Sequence, residues 1–116
     1  ETGQKAWQVP LGTIRDIAPL PLPIRLGTPN MGGPLVTASG LVFIGAALDN
    51  YLRAFDIETG EELWKGRLPA GGQATPMTYR LRPDGKQYVV IAAGGHGALG
   101  SDLGDHVVAF ALKERK

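Results

Sequence analysis

The sequence has 116 residues and no cysteine, so no disulfide framework holds it, and redox compartment says nothing about where it works. No apolar run approaches the roughly 18 residues that a membrane-spanning helix needs, and the first residues carry no secretory signal. The piece itself is therefore expected to be soluble. An excess of either charge is also missing, with 12 Lys and Arg against 11 Asp and Glu for a formal charge of +1. That balance excludes the electrostatic footprint of a protein that binds nucleic acid or anionic lipid, and the scattered basic residues read as a solvated face. No metal-ligand cluster with fixed spacing occurs, and no Ser/His/Asp order with a nucleophile elbow.

What the chain does have is glycine and proline, 17 and 9 residues. They favour short elements joined by tight turns over long helices, so the economical reading is all-β. Pro34 to Thr37, Leu41 to Ala46, Tyr51 to Ile57 and Glu61 to Gly66 form four short runs rich in Val, Leu, Ile, Phe, Tyr and Trp. The breakers between them, Ala38-Ser39-Gly40, Asp49-Asn50 and Glu58-Thr59-Gly60, are turn chemistry that tolerates left-handed backbone. Four strands in one antiparallel meander are predicted. Three more runs follow, Ala74 to Leu81, Gln87 to Ala93 and His106 to Leu112. A helix over Glu58 to Lys65 is the competing reading; Gly60 interrupts it, and the alternation in Tyr51-Leu52-Arg53-Ala54-Phe55-Asp56 argues strand.

One element recurs. Glu1-Thr2-Gly3-Gln4-Lys5-Ala6-Trp7 repeats Glu58-Thr59-Gly60-Glu61-Glu62-Leu63-Trp64 with the same internal spacing, 57 residues apart. That is the scale of one supersecondary unit in a repeat protein. Residues 1–12 then read as the end of one unit, with Ala6 to Val9 as its last strand, and the chain is expected to be cut from something longer. Residues 13–33, with Pro19, Pro21, Pro23 and Pro29, form a long connection over a surface, because repeated prolines forbid a regular helix or central strand. Residues 34–67 make a complete four-stranded unit, and 68–116 supply three strands of the next. In a radial repeat, the missing strand comes from the other end of the polypeptide and closes the ring.

At this point the residues resemble a known family. Ala54-x-Asp56-x-x-Thr59-Gly60-x-x-x-Trp64 is similar to the tryptophan-docking motif of the quinoprotein dehydrogenases, eight-bladed propellers that carry pyrroloquinoline quinone (PQQ). Met31-Gly32-Gly33-Pro34, Phe43-Ile44-Gly45-Ala46, Asp49 to Ala54, Gly66 to Tyr79 and Gly85 to Gly97 together resemble the carboxy-terminal part of the membrane-bound glucose dehydrogenases. That branch also includes quinate and shikimate dehydrogenases. The likeness weakens over the Pro-rich loop and in Lys113 to Lys116. It implies an all-β fold of four-stranded antiparallel blades, of which this chain holds the last two, both partial or complete as above. It also implies a parent that oxidises glucose to gluconolactone with PQQ and Ca²⁺ or Mg²⁺, passes electrons to ubiquinone, and sits in the bacterial inner membrane with its propeller facing the periplasm. The alternatives are a quinate, shikimate or other polyol dehydrogenase, and a non-catalytic propeller scaffold.

Each candidate residue has a plain reading beside the functional one. Trp7 and Trp64 are docking residues, burying an apolar face while the indole N–H seeks a backbone partner that ties one blade to its neighbour; Ala54, Asp56 and Gly60 complete that structural motif. Asp49 and Asn50 are turn residues by type. The resemblance moves Asp49 alone into the surroundings of the cofactor and metal, without making it a ligand, and assigns nothing to Asn50. His96 stands in Gly94-Gly95-His96-Gly97, where glycines let the backbone approach a ligand closely. The resemblance makes His96 the substrate-binding candidate and places Gly97 beside the cofactor. His106 is expected at a strand start, facing solvent. No catalytic residue is expected in these 116 residues: the catalytic aspartate and most of the cofactor pocket belong upstream. Asp49 and His96, if both face the propeller axis, should lie at the same end of adjacent sheets.

Overall fold

The computed structural model describes residues 2–20 and 22–112; Glu1, Pro21 and the weakly matching Lys113 to Lys116 fall outside it. Two antiparallel meanders follow one another. The first contains β1 (Leu35–Val36), β2 (Leu41–Ile44), β3 (Tyr51–Asp56) and β4 (Glu62–Arg67), hydrogen-bonded in chain order. The second contains β5 (Met77–Arg80), β6 (Gln87–Ala93) and β7 (His106–Ala111), again in chain order. Apart from a short 3₁₀ turn at Gly97–Leu99, no helix occurs among the described residues. The Glu58 to Lys65 stretch is turn and strand, as its glycine requires.

The register is set by which side chains need a dry face. In β3, Leu52 and Ala54 point toward the second sheet, and Leu52 packs with Leu68, Ala70, Val89, Ile91 and Ala93 in one buried cluster, flanked by Phe43, Val108 and Phe110. A one-residue slip would turn this apolar set away from its partner, so burial specifies the pairing of Phe43 with Ala54 and of Val90 with Ala109.

Three expectations need correction. Ala6 to Val9 form no strand, because no neighbouring strand among the described residues offers them a ladder. The runs around β1 and β5 shrink to two and four residues, since Pro34 and Pro76 at their starts lack a donor. Arg53, read as part of a solvated face, is 2% exposed. Its side of β3 is covered by the Pro-rich segment rather than by water. That segment is otherwise the surface connection expected: Leu20 and Leu26 are largely exposed, and its two ends are drawn together by a hydrogen bond from Thr28 N to Leu11 O of 2.9 Å.

Candidate functional site at the shared loop end

The docking motif is built first, because it sets how the units join. Asp56 Oδ1 accepts from the backbone N–H groups of Glu58 (2.8 Å) and Thr59 (2.9 Å) and from Thr59 Oγ1 (3.2 Å). These donors hold the Asp56 carboxyl below its ordinary pKa, the Thr59 and Glu58 amides contributing most. The turn closes with Gly60 N donating to Asp56 O at 2.9 Å. Gly60 has φ of +74°, and a Cβ there would stand 2.6 Å from Trp7 Cε3 and 2.7 Å from Cδ2. Glycine is thus required twice, for the left-handed backbone and for the indole that lies against it. Trp7 Nε1–H completes the joint by donating to Ile57 O at 2.8 Å. Trp64, the second copy, behaves differently. It is 39% exposed and meets Phe110 edge-on, with ring centroids 5.0 Å apart, and its indole N–H has no hydrogen-bond partner among the described residues. The expected backbone partner for Trp64 is therefore not found there.

At the opposite end of the strands, the β2–β3 turn, the β4–β5 connection and the β6–β7 loop converge. Their backbones touch: a Cβ on Gly45 would collide with Gly72 O. Ala46, a non-glycine residue with φ of 58°, donates its N–H to Gly72 O at 2.6 Å and accepts from Met31 N at 3.1 Å. A strained residue held from both sides marks a junction that the surrounding structure fixes firmly. Gln73 bridges the two units, its Nε2 donating to Ala47 O at 2.8 Å while its Oε1 accepts from Ser101 Oγ at 3.3 Å. Ser101 Oγ also accepts the His96 N–H at 2.7 Å. Gly95 N donates to Gly71 O at 2.8 Å, and Asn50 Nδ2 donates to Asp102 Oδ2 at 2.7 Å.

Asp49 and His96 therefore lie in loops bound to one another at one end of adjacent sheets, but their side chains do not pair. Asp49, 1% exposed, turns toward the Pro-rich segment. Its Oδ1 accepts from Arg53 NH1 at 2.7 Å, and its Oδ2 from Arg53 NH2 (2.6 Å), Thr13 N (2.6 Å) and Thr13 Oγ1 (2.7 Å). Burial raises the Asp49 pKa, but the Arg53 and Thr13 hydrogen bonds outweigh it and hold the carboxyl below its ordinary value. For Arg53 the same pair works in reverse: burial lowers its pKa, and the hydrogen bonds and charges of Asp49 and Glu62 together more than restore it. Arg53 Nε reaches Glu62 Oε2 at 3.2 Å, and Glu62 Oε1 meets Arg25 at 3.2 Å. Asp16 accepts a two-pronged bond from Arg67, at 2.7 and 2.8 Å, and receives the Asn50 N–H at 3.1 Å.

Among the described residues, two buried side-chain atoms have no hydrogen-bond partner, His96 Nδ1 and Asn50 Oδ1. Gly97 faces open space, with nothing within 4 Å of a built Cβ. No group of three or more His, Cys, Asp or Glu able to hold a metal exists among the described residues. This donor set fits the margin of a ligand rich in polar groups: a half-buried imidazole beside a glycine that leaves room. It does not by itself form a metal cage. His106 is half exposed, with Asp105 3.8 Å away. Sequence reasoning missed Thr13, Arg53, Gln73, Ser101 and Asp102, and gave Asn50 no role. Asn50, Arg53 and Gln73 carried a signal only as members of the Asp49 to Ala54 and Gly66 to Tyr79 segments quoted for the resemblance.

Two antiparallel meanders packed face to face, with an indole from before the first unit seated on that unit's last turn and loops gathered at one end, are successive blades of a β-propeller. The chain belongs to the PQQ family described as glucose/ethanol/alcohol dehydrogenase, beta-propeller domain, which it matches over residues 1–89. It is 52% identical to quinoprotein glucose dehydrogenase A of Acinetobacter calcoaceticus, over all of this chain and 15% of that protein. It is also 52% identical to quinate/shikimate dehydrogenase (quinone) of Acinetobacter baylyi, over 98% of this chain and 14% of that one. Among solved structures, quinohemoprotein alcohol dehydrogenase from Comamonas testosteroni superposes with a TM-score of 0.60 at 31% identity, covering 79% of this chain and 15% of that one. The chain thus spans about one-seventh of the length of these curated relatives. No helix among the described residues is long and apolar enough to cross a membrane.

Proposed function

We propose that this chain is the closing part of the propeller of a quinoprotein dehydrogenase whose substrate is glucose, oxidised to gluconolactone. The observation that supports this most is the 52% identity to a quinoprotein glucose dehydrogenase along the whole chain, including the loop that carries His96. Bound PQQ, with Ca²⁺ or Mg²⁺, supplies the acceptor chemistry for two electrons. The sugar loses hydrogen from C1 with its pair of electrons, and loses the proton of the C1 hydroxyl to a carboxylate upstream of this chain. Ubiquinone is the onward acceptor, and the parent occupies the bacterial inner membrane with its propeller facing the periplasm.

In this reading the chain's own residues bind and orient. His96, its backbone fixed by Ser101 and its side chain half-buried, meets a sugar hydroxyl. Gly97 lets the cofactor come close because no side chain intervenes, and Asp49 belongs to the surroundings of cofactor and metal without ligating either. Quinate or shikimate is the second reading, favoured by an identity to that enzyme equal to the glucose value. A non-catalytic scaffold is disfavoured, since the matched family and relatives are dehydrogenases.

The test is PQQ-dependent dye reduction by the full-length parent on glucose, quinate, shikimate and glycerol. Turnover of glucose supports the reading; turnover of quinate or shikimate alone replaces it with the second; no PQQ dependence on any substrate ends both. The 116-residue chain alone is expected to be inactive even with PQQ and Ca²⁺, and to self-associate through its unpaired strand edges, which light scattering would reveal.

A further inference from the structure

Asp49 is an odd candidate for the neighbourhood of a cation. Its carboxylate already accepts from four donors, three on Oδ2 and one on Oδ1, and is 1% exposed. Two of those donors come from Thr13, at the root of the Pro-rich segment, and two from a buried arginine. From Thr13 the contacts continue without a gap to the candidate substrate loop. Gly12 packs so closely that a Cβ there would stand 2.7 Å from Ala47 Cβ and 2.8 Å from Thr28 Oγ1. Thr28 Oγ1 accepts Leu48 N at 3.0 Å, and Met31 N donates to Ala46 O at 3.1 Å. Gln73 joins Ala47 to Ser101, and Ser101 holds His96.

We propose that Asp49 is a positioning residue: with Arg53 as counter-ion it clamps Thr13 onto the Ala46–Asn50 turn, and so fixes the loop end that presents His96 and Gly97. Its carboxylate does not itself act on metal or cofactor. Thr13 and Arg53, to which the resemblance assigned nothing, become parts of the same device. The proposal rests on the functional reading above for what the loop end binds, and on the geometry alone for how Asp49 is used.

The two mechanisms separate at Thr13. Thr13→Val keeps the Asp49 charge but removes the hydroxyl donor, Asp49→Asn removes the charge, and Thr13→Ser keeps the donor. Each is made in the full-length parent. Amide exchange over residues 11–28 is measured in the apoprotein, and PQQ retention on dilution and sugar kinetics in the holoenzyme. The clamp predicts about tenfold faster exchange in both Thr13→Val and Asp49→Asn, since losing one charge-assisted hydrogen bond is worth about a factor of ten. It also predicts faster PQQ loss and a raised KM in both, with kcat at saturating PQQ changed by less than about twofold. Thr13→Ser should match the wild type throughout.

A Thr13→Val enzyme that retains PQQ and KM like the wild type while Asp49→Asn loses them would show direct action of the charge and overturn the proposal. Unchanged exchange in both variants would overturn it too, as would faster exchange with no change in retention or KM. If the wild-type parent shows no PQQ dependence, the functional reading itself has failed and the proposal falls with it; an active wild type with the wrong variant pattern sinks the proposal alone.

Discussion

Trp7 and Trp64 occupy the same place in a repeated sequence and end in different surroundings. The difference lies in what receives them. Trp7 finds Asp56, Ile57 and Gly60 of the following unit: a carboxylate that folds the turn, a carbonyl for the indole N–H and a glycine flat enough to lie against. One unit further on, the sequence Ala109-Phe110-Ala111-Leu112 repeats the Ala54-Phe55 start but puts alanine where Asp56 stood. Trp64 rests edge-on against Phe110, on the wall of an apolar cleft of about 460 Å³; the residues that would form its receiving turn lie outside the described ones. A docking tryptophan is therefore only half a motif; the receiving turn is the other half.

The same contrast runs through the two sheets. The first is covered on one face by the second sheet and, around Arg53 and Asp49, by the Pro-rich segment with its ionic anchors. The outer edge of the second leaves Val107 and Leu112 exposed. Stability should accordingly be concentrated in the first. The largest effect is expected for Arg53→Met, which leaves Asp49 buried with only Thr13 as donor and should cost about 3–5 kcal/mol in urea unfolding. A loss below about 1 kcal/mol would mean that water reaches the pair. Next comes Gly60→Val, where both the φ of +74° and the contact with Trp7 are violated. About 2–3 kcal/mol should be lost, with Trp7 fluorescence shifting toward that of a solvated indole.

How much of this could be read from the sequence follows the range of the interactions. The alternation of β3 and the turn chemistry of Asp56-Ile57-Glu58-Thr59-Gly60 are local, and both were legible, as was the Trp7 docking through its repeat. Ala6 to Val9 was misjudged because strand-forming residues make a strand only beside a partner. Arg53 was misjudged because its burial depends on a segment some forty positions earlier in the chain, which periodicity cannot see. Asn50 looked like a plain turn residue; its bonds to Asp16 and Asp102 are likewise non-local. At the candidate site, the roles of His96 and Gly97 are expectations of the resemblance, whereas the Gln73–Ser101 bridge joins two separate loops and could not be read from either.

Smaller effects sharpen the comparison of the two indoles. Trp7→Phe removes one hydrogen bond to Ile57 O and should cost about 1 kcal/mol. Trp64→Phe removes no such bond and should cost about half that or less, the ring contact with Phe110 being retained in kind. Equal costs would mean that packing, not the N–H, carries the joint. Acid provides a further distinction. Asp49 and Asp56 both have native pKa values below the ordinary carboxylate value. Their stabilisation is thus fully present at neutral pH and is lost as pH falls through those lowered values. Trp7 fluorescence should stay native down to about pH 4 and change only below it; a transition well above that pH would contradict a carboxylate origin.

The most direct test of the functional account is His96→Asn in the full-length parent, assayed with saturating PQQ over a range of glucose concentrations. If His96 binds the sugar without taking part in the chemical step, KM should rise about tenfold while kcat changes by less than about twofold, since losing a contact present equally in ground and transition states weakens binding alone. An unchanged KM would contradict that placement, and with it the claim that the loop end held together by Gln73 and Ser101 faces the substrate.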